Sequence, residues 1–271
     1  MYKTVVLLLL LGVFSSEAKI ITTDKIEDIE NEFAKADEKT LGIFDCDDVL
    51  TVNSSQILQK PHREVFLELR KKEFPGDSRE KLCDRFTEIA SLDHVFLVDE
   101  RMPTVVKKLQ NGKIKTMVLT ALSGNTLPLL ADPVQWRANT LKSFGYCFEG
   151  SFPSLKSKNF NILGYQSRVR YSHGVVCCGK VSKSDALKAF LSYAGFCPSK
   201  IIFIDDAREN LEKMEQFCVE NKIAFVGIEY TKVYKIKNKL PFSKERAEFQ
   251  VKKFKEKNIW FSDEEAEKEM K

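Results

Sequence analysis

The fold is decided by the stretch FDCDDVLT, residues 44–51. It begins at the end of an apolar run over residues 41–44, which predicts a buried β-strand. Two aspartates, Asp45 and Asp47, then stand two residues apart just beyond this strand. Ligands of open α/β sheets bind beyond the carboxyl ends of the strands, so the position suits an active site. Taken alone, an Asp-x-Asp pair is equally compatible with a solvated turn.

Short apolar strands alternate with amphipathic helices along the rest of the chain. Further strands are predicted over residues 115–120, 175–178, 201–204 and 224–228. The helix predicted over 183–194 is well bounded, because Ser182 can cap its start and Gly195 can end it. This alternation predicts an α/β fold with a Rossmann-like parallel sheet sandwiched by helices. Right-handed crossovers would bring the carboxyl ends of its strands to one edge.

Two helices are predicted directly after the first strand, over residues 56–72 and 78–92, with a Pro-Gly turn between them. We expect them to form a small helical cap, residues 52–99, inserted into a core domain made of residues 19–51 and 100–271. Residues 146–148 are predicted to form a short strand, and residues 150–172 to be irregular.

The first residues match a secretory signal peptide. Lys3 precedes an apolar run over residues 5–14, and the small residues Ser16 and Ala18 suit a cleavage site. The run is too short to span a bilayer. We therefore predict a signal peptide over residues 1–18 and an exported, periplasmic or secreted chain without a stable membrane anchor. A buried amino-terminal helix or an uncleaved anchor is the alternative.

The charge argues against a nucleic-acid-binding protein, and the spacing of the cysteines argues against a zinc site. The net charge of +4 is mild and no basic groove interleaved with aromatic residues accompanies it, so no nucleic-acid partner is expected. Cys177 and Cys178 are adjacent and do not have the spacing of a zinc chelate. We predict that most of the seven cysteines are small buried hydrophobic residues, with one or two disulfides left open by export.

Four polar motifs stand in a fixed order along the chain. Each is weak alone, and Thr120, for example, could simply end a strand. Together they resemble the motifs of the haloacid dehalogenase-like hydrolases, and of their phosphatases in particular, over about residues 41–228. Residues 260–266 are also similar to an uncharacterised bacterial branch of that superfamily, and an exported acid phosphatase branch is a further comparison. The motifs are Asp45-x-Asp47 after the first strand, Thr120 at the end of the second, Lys183 at a helix start, and Asp205-Asp206 after an apolar strand.

The resemblance implies the fold of that superfamily, with the helical cap inserted after strand one. It also implies a role for each motif. Asp45 would be the nucleophile that forms an aspartyl-phosphate, and Asp47 the general acid and then the general base. Thr120 would hydrogen-bond the transferred phosphoryl group. Lys183 would offset negative charge on the nucleophile and the phosphate, with Lys180 as the alternative.

The same resemblance implies a Mg²⁺ ion. Its ligands would be Asp45, the backbone carbonyl of Asp47, and Asp205, with Asp206 as a further ligand or a supporting group. The choice between Asp205 and Asp206 as the direct ligand stays open. Asp48 stands where members of the superfamily commonly carry glycine, a departure that the sequence does not explain.

Electrostatics agrees with these roles. A carboxylate that attacks a phosphate dianion meets like-charge repulsion, which a divalent cation and an ammonium group would offset. We therefore expect an exported, Mg²⁺-dependent phosphatase that hydrolyses small phosphomonoesters. Two alternatives remain: a non-catalytic binding or effector protein on the same fold, and a phosphotransferase whose acceptor is not water. The sequence identifies neither the substrate nor a protein partner.

Overall fold

The computed structural model describes residues 18–166 and 168–271. The predicted signal peptide over residues 1–18 lies outside these ranges except for its last residue. Within the described ranges, no helix has the length and apolar character needed to cross a membrane.

A mostly parallel sheet forms the centre of the molecule. Its eight strands are β1 (Ala18–Thr23), β2 (Thr40–Phe44), β5 (Lys115–Thr120), β6 (Lys158–Phe160), β7 (Val169–Ser172), β8 (Val175–Cys177), β9 (Lys200–Asp205) and β10 (Ala224–Tyr230). They lie in the order β1-β10-β9-β2-β5-β8-β7-β6. The strands from β1 to β8 in this order are parallel, and β7 and β6 continue the sheet antiparallel. The predicted α/β class with a parallel sheet is therefore confirmed.

Helices cover both faces of this sheet. The helices of the described residues are α1 (Ile26–Phe33), α2 (Arg63–Glu73), α3 (Arg79–Leu92), α4 (Met102–Asn111), α5 (Pro133–Ser143), α6 (Lys183–Ala194), α7 (Arg208–Glu220), α8 (Lys244–Lys257) and α9 (Asp263–Glu269). Alternate residues of β2 point to opposite faces, as the pleat requires. Phe44 packs into a core with α1, α4 and α5, whereas Leu41 and Ile43 pack into a second core with α6 and α7.

Two predicted segments are wrong. Residues 146–148 form no strand, and a 3₁₀ turn follows over Phe148–Ser151. The rings of Tyr146 and Phe148 stack with centroids 5.5 Å apart. The two aromatic residues therefore stand two positions apart because they meet in the core, and not because they belong to a strand. Residues 150–172 are not wholly irregular, because β6 and β7 pair there at the sheet edge. The amino-terminal strand β1 was not predicted.

The segment after β2 begins with one strand and ends with the other strand of a small antiparallel pair. Strands β3 (Thr51–Asn53) and β4 (Val95–Leu97) pair antiparallel, and α2 and α3 lie between them. Phe66 and Ile89 of these helices share an apolar cluster with Val251, Phe254 and Trp260 from the carboxyl-terminal region. The predicted cap therefore packs against α8, which the sequence had grouped with the core domain.

Asp263 joins this carboxyl-terminal region to the start of the insertion. Its Oδ2 accepts hydrogen bonds from the backbone N–H of Gln56 at 3.1 Å and from Gln56 Nε2 at 2.9 Å. Its Oδ1 accepts from Gln250 Nε2 at 3.1 Å and lies 3.4 Å from Arg246 Nε. These contacts give residues 260–266, which the sequence singled out, a structural role.

Replacement of Asp263 by alanine is expected to lower the free energy of unfolding by about 3 kcal/mol, because the buried Arg246 and Gln56 each lose one of their partners. Chemical denaturation followed by circular dichroism measures this change. The exposed neighbour Glu264 provides the control, and Glu264→Ala should leave the unfolding curve unchanged. Equal curves for the two variants would contradict the role given to Asp263.

Candidate active site

The motif residues converge at the carboxyl edge of the sheet. Strand β2 lies between β9 and β5, and all three run parallel. The backbone N–H of Asp45 donates to the carbonyl oxygen of Ile204 at 2.8 Å, which extends the ladder one residue beyond β2. Asp45 and Asp205 therefore emerge side by side from adjacent strands, with Thr120 at the end of β5 on the other side.

Three carboxylates form a compact buried cluster. Oxygen atoms of Asp45, Asp205 and Asp206 lie within 4.8 Å of one another. The three residues are only 7%, 0% and 5% exposed, respectively. Oxygen-only donors at this spacing fit a hard divalent cation such as Mg²⁺. We call Asp45, Asp205 and Asp206 the acidic cluster.

Lys183 bridges two members of the acidic cluster. Its Nζ lies 2.9 Å from Asp45 Oδ1 and 2.7 Å from Asp205 Oδ2. Ser182 caps α6 through the backbone N–H of Asp185, and this cap places Lys183 in the first turn. Of the two lysines that the sequence left open, Lys183 makes this contact, whereas Lys180 lines a neighbouring cavity.

Further polar groups hold the two aspartates that follow β9. Asp205 Oδ1 accepts from the backbone N–H of Ala207 at 2.8 Å and from Asn210 Nδ2 at 3.0 Å. Asp206 Oδ2 lies 2.9 Å from Nζ of Lys60. Asp205 is therefore held mainly by its own loop and Lys183, whereas Asp206 also contacts the insertion. The choice of direct metal ligand between them stays a prediction.

Burial and charge act against each other in the acidic cluster. Burial raises the pKa of Asp45 well above its usual value, although Lys183 opposes the shift. Burial also raises the pKa of Asp205. Burial alone would raise the pKa of Asp206 as well, but Arg63 and Lys60 outweigh it and hold this pKa below its usual value. Packing three carboxylates together would be costly without the cations that face them, Lys183, Lys60 and Arg63.

Lys183 keeps its charge in this setting. Burial disfavours its ammonium form, but the carboxylates of Asp205 and Asp45 outweigh burial and raise the pKa of Lys183. It can therefore act as a fixed cation beside Asp45.

The Asp47 side chain lies outside the acidic cluster. Its Oδ1 accepts a hydrogen bond from Arg137 Nη2 at 2.8 Å, and its Oδ2 accepts from Thr120 Oγ1 at 3.4 Å. Arg137 comes from α5, is 0% exposed, and also donates from Nη1 to Thr51 Oγ1 at 3.4 Å. Asp47 and Thr120 are thus brought together, while the metal contact expected for the Asp47 backbone carbonyl stays a prediction.

Asp48 has a left-handed backbone conformation, with φ of 67°. Its N–H donates to the carbonyl oxygen of Thr51 at 2.7 Å, which closes the turn before β3. Its carboxylate contacts Arg63 Nη2 at 2.5 Å. Burial raises the pKa of Asp48 to about 7, although Arg63 opposes the shift. Glycine and aspartate both tolerate this conformation, which accounts for an aspartate at a position where glycine is common.

Four residues of the site were missed at the sequence level: Lys60, Arg63, Arg137 and Asn210. Asn210 lies five positions after Asp205, at the start of a helix, which is a local signal that could have been used. Lys60 and Arg63 lie close together in the sequence but resemble surface cations. Arg137 carries no signal at all, because an arginine within a helix is usually exposed.

No cysteine side chain of the described residues belongs to the acidic cluster. All seven are free in the described structure, so none of the disulfides left open by the sequence forms there. Cys46 lies between the two motif aspartates, and burial raises the pKa of its thiol to about 12. The thiol is therefore protonated at neutral pH, which agrees with the prediction of small buried hydrophobic residues.

Proteins of Chlamydia and Rickettsia are similar to this chain over most of its length. A "Putative outer membrane protein" of Chlamydia trachomatis serovar D is 23% identical over 232 residues, which are 83% of each chain. An "Uncharacterized protein" of Rickettsia felis is 24% identical over 242 residues, 84% of this chain and 82% of its own. One of Rickettsia prowazekii is 21% identical over 227 residues, 83% and 82% of the two chains.

No solved structure matches the chain. The family model with the description "Protein of unknown function (DUF2608)" matches residues 22–267. Because this match spans nearly the whole chain, the protein belongs to the DUF2608 family.

Proposed function

We propose that the protein is an exported, Mg²⁺-dependent phosphatase of the haloacid dehalogenase-like type, which hydrolyses phosphomonoesters through an aspartyl-phosphate. The observation that carries this proposal is the acidic cluster at the carboxyl ends of adjacent parallel strands, with Lys183 Nζ in contact with both Asp45 and Asp205. A structural ion pair would need one carboxylate for one ammonium, whereas this site has an excess of buried negative charge suited to a metal.

The contacts of Asp45 leave one oxygen for attack. Its Oδ1 accepts from Lys183 Nζ at 2.9 Å and from the backbone N–H of Cys46 at 2.7 Å. Oδ2 would then attack phosphorus while the bond from phosphorus to the alcohol oxygen breaks. Lys183 would hold the carboxylate in place and reduce its repulsion of the phosphate dianion.

Asp47 would move the protons. Arg137 holds Oδ1, so Oδ2, which lies beside Thr120, is the oxygen available for proton transfer. Asp47 would donate a proton to the departing alcohol oxygen. It would then accept a proton from the water that attacks the aspartyl-phosphate, which releases phosphate and restores Asp45. Thr120 Oγ1 would turn its hydroxyl hydrogen from Asp47 Oδ2 to a phosphoryl oxygen when the substrate binds, which frees Oδ2 for proton transfer.

The oxygen donors of the acidic cluster fit Mg²⁺, and Asp45, Asp205 and Asp206 would hold it. When bound, the ion would supply positive charge that stabilises the phosphoryl oxygens in the transition state.

The proposed export of the chain has two supports. Residues 1–18 have the pattern of a signal peptide. The Chlamydia trachomatis relative, and a Chlamydia pneumoniae relative that is 35% identical over 60 residues, carry names that refer to the outer membrane.

Phosphate release from p-nitrophenyl phosphate by the purified chain tests the metal requirement. We expect turnover with Mg²⁺, its loss in excess chelator, and its return when Mg²⁺ is restored. Calorimetry should show that Asp206→Asn weakens Mg²⁺ binding by about tenfold or more. Glu209→Gln is the control, because Glu209 is exposed on α7 and pairs with Lys213. The Mg²⁺ affinity of this variant should equal that of the unmodified protein. Undiminished turnover after chelation would refute the proposal.

A further inference from the structure

A cavity lies between the inserted helices and the candidate active site. Leu58, Phe66 and Leu67 line it on one side, and Phe86 of α3 completes its apolar wall. The core contributes Ala121 and Lys180. Cys83 Sγ of α3 donates to the carbonyl oxygen of Ala121 at 3.4 Å, so the inserted helices and the core touch at this point.

The cavity adjoins the position proposed for the phosphoryl group. Ala121 directly follows Thr120, so their Cα atoms are about 3.8 Å apart. Arg63 also lines the cavity, and its guanidinium contacts Asp48 in the loop that carries Asp45 and Asp47. A phosphomonoester bound at Asp45 would therefore direct its alcohol part toward this space.

The size and walls of the cavity suit one apolar ring. Its volume is about 130 Å³. An apolar cavity of about 150 Å³ in another protein takes up one benzene molecule. Phe66 and Phe86 stand edge to face with ring centroids 5.8 Å apart, which gives the wall an aromatic surface.

The charged groups of the cavity wall are all cations. Arg63, Arg70 and Lys180 line it, and no described lining residue is acidic. Arg70 is 7% exposed and donates from Nη1 to the carbonyl oxygen of Leu82 at 2.7 Å, while its buried Nε has no hydrogen-bond partner among the described residues. This wall would repel a cationic alcohol and accept a neutral or anionic one.

We infer that the substrate is a phosphomonoester whose alcohol carries a single apolar ring and no positive charge. This inference rests on the proposed phosphatase function and names the substrate class of the same site. The ring would lie against Phe66, Leu67 and Phe86, with its ester oxygen toward Asp47. Hydrolysis would break the phosphorus–oxygen bond and release the ring alcohol and inorganic phosphate.

Benzyl phosphate, methyl phosphate and O-phosphoethanolamine separate ring recognition from leaving-group chemistry, because all three release an unactivated alkyl alcohol. We expect kcat/KM for benzyl phosphate to exceed that for methyl phosphate by at least about tenfold, as burial of a ring implies. O-phosphoethanolamine should be the poorest of the three. Equal kcat/KM values for the three esters would overturn the inference.

A cavity-filling variant tests the location of the ring. Leu67 lines the cavity, while the next residue of α2, Glu68, is exposed. Leu67→Trp should remove the preference for benzyl over methyl phosphate, whereas the matched control Glu68→Trp should keep the preference. Loss of the preference in both variants, or in neither, would place the ring elsewhere and overturn the inference.

Binding of non-hydrolysable phosphonates gives a readout independent of turnover. In the presence of Mg²⁺, phenylphosphonate should bind at least about tenfold more tightly than methylphosphonate, and Leu67→Trp should abolish the difference. If methyl phosphate is hydrolysed but the phosphonates bind equally, the substrate class is wrong and the phosphatase proposal stands. If no phosphate ester is hydrolysed at all, both fail together.

Discussion

Asp45→Asn is expected to lower phosphomonoester turnover by at least about a thousandfold, because an amide oxygen is a far weaker nucleophile than a carboxylate. Asparagine keeps the size of the side chain, and its oxygen can still accept from Lys183 and from the N–H of Cys46. The fold should therefore survive. Phosphate release under saturating Mg²⁺ measures the effect, and trapping with labelled substrate should detect an aspartyl-phosphate in the unmodified protein alone.

The control for this variant is Asp37→Asn. Asp37 is exposed and precedes the amino-terminal end of β2, so the same chemical change is made at the opposite edge of the sheet. Its turnover should equal that of the unmodified protein. A fully active Asp45→Asn protein would rule out the nucleophile, and with it the aspartyl-phosphate route.

The second large effect concerns Arg137. Its replacement by methionine is expected to lower the free energy of unfolding by about 3–5 kcal/mol, because Asp47 is left as a buried charge without its cation. Turnover should fall as well, since Arg137 fixes the oxygen of Asp47 that does not transfer protons. Denaturant titration and steady-state kinetics on the same preparation measure the two effects separately.

A double variant distinguishes a lost ion pair from a packing defect. Arg137→Met combined with Asp47→Asn removes both charges, so it should be more stable than Arg137→Met alone. Lys142→Met, at an exposed cation of the same helix, should leave the unfolding curve unchanged. Were the double variant less stable than the single one, the ion pair between Asp47 and Arg137 would not be the source of the effect.

The sequence predicted most of the sheet because the signals of its central strands are local. The predicted strand over 115–120 has the observed bounds of β5, and the predicted helix over 183–194 those of α6. Both segments combine a buried apolar pattern with a clear boundary residue. Strands β1, β6 and β7, which lie at or next to the two edges of the sheet, were missed, since at least half of the residues in each are polar and burial depends on the neighbouring strand.

The motif residues were also found from local patterns, as aspartates and a threonine directly beyond apolar strands. Apart from Lys183, their partners were not, because Arg137 lies 90 positions from Asp47 and Lys60 lies 146 positions from Asp206. Which cation neutralises which carboxylate depends on the three-dimensional arrangement of distant segments. The sequence therefore predicts the motif residues of the candidate site, Lys183 among them, but not the other cations that hold the carboxylates in place.

Helix α8 has a consequence for access to the cavity. Its residues Val251 and Phe254 pack with the inserted helices, and Trp260 Nε1 donates to Ser55 Oγ at 3.0 Å. Any motion that moves α2 and α3 away from the sheet must either carry α8 with it or break these contacts. In the proposed phosphatase, substrate entry would therefore depend on α8, although α8 contributes no residue to the acidic cluster.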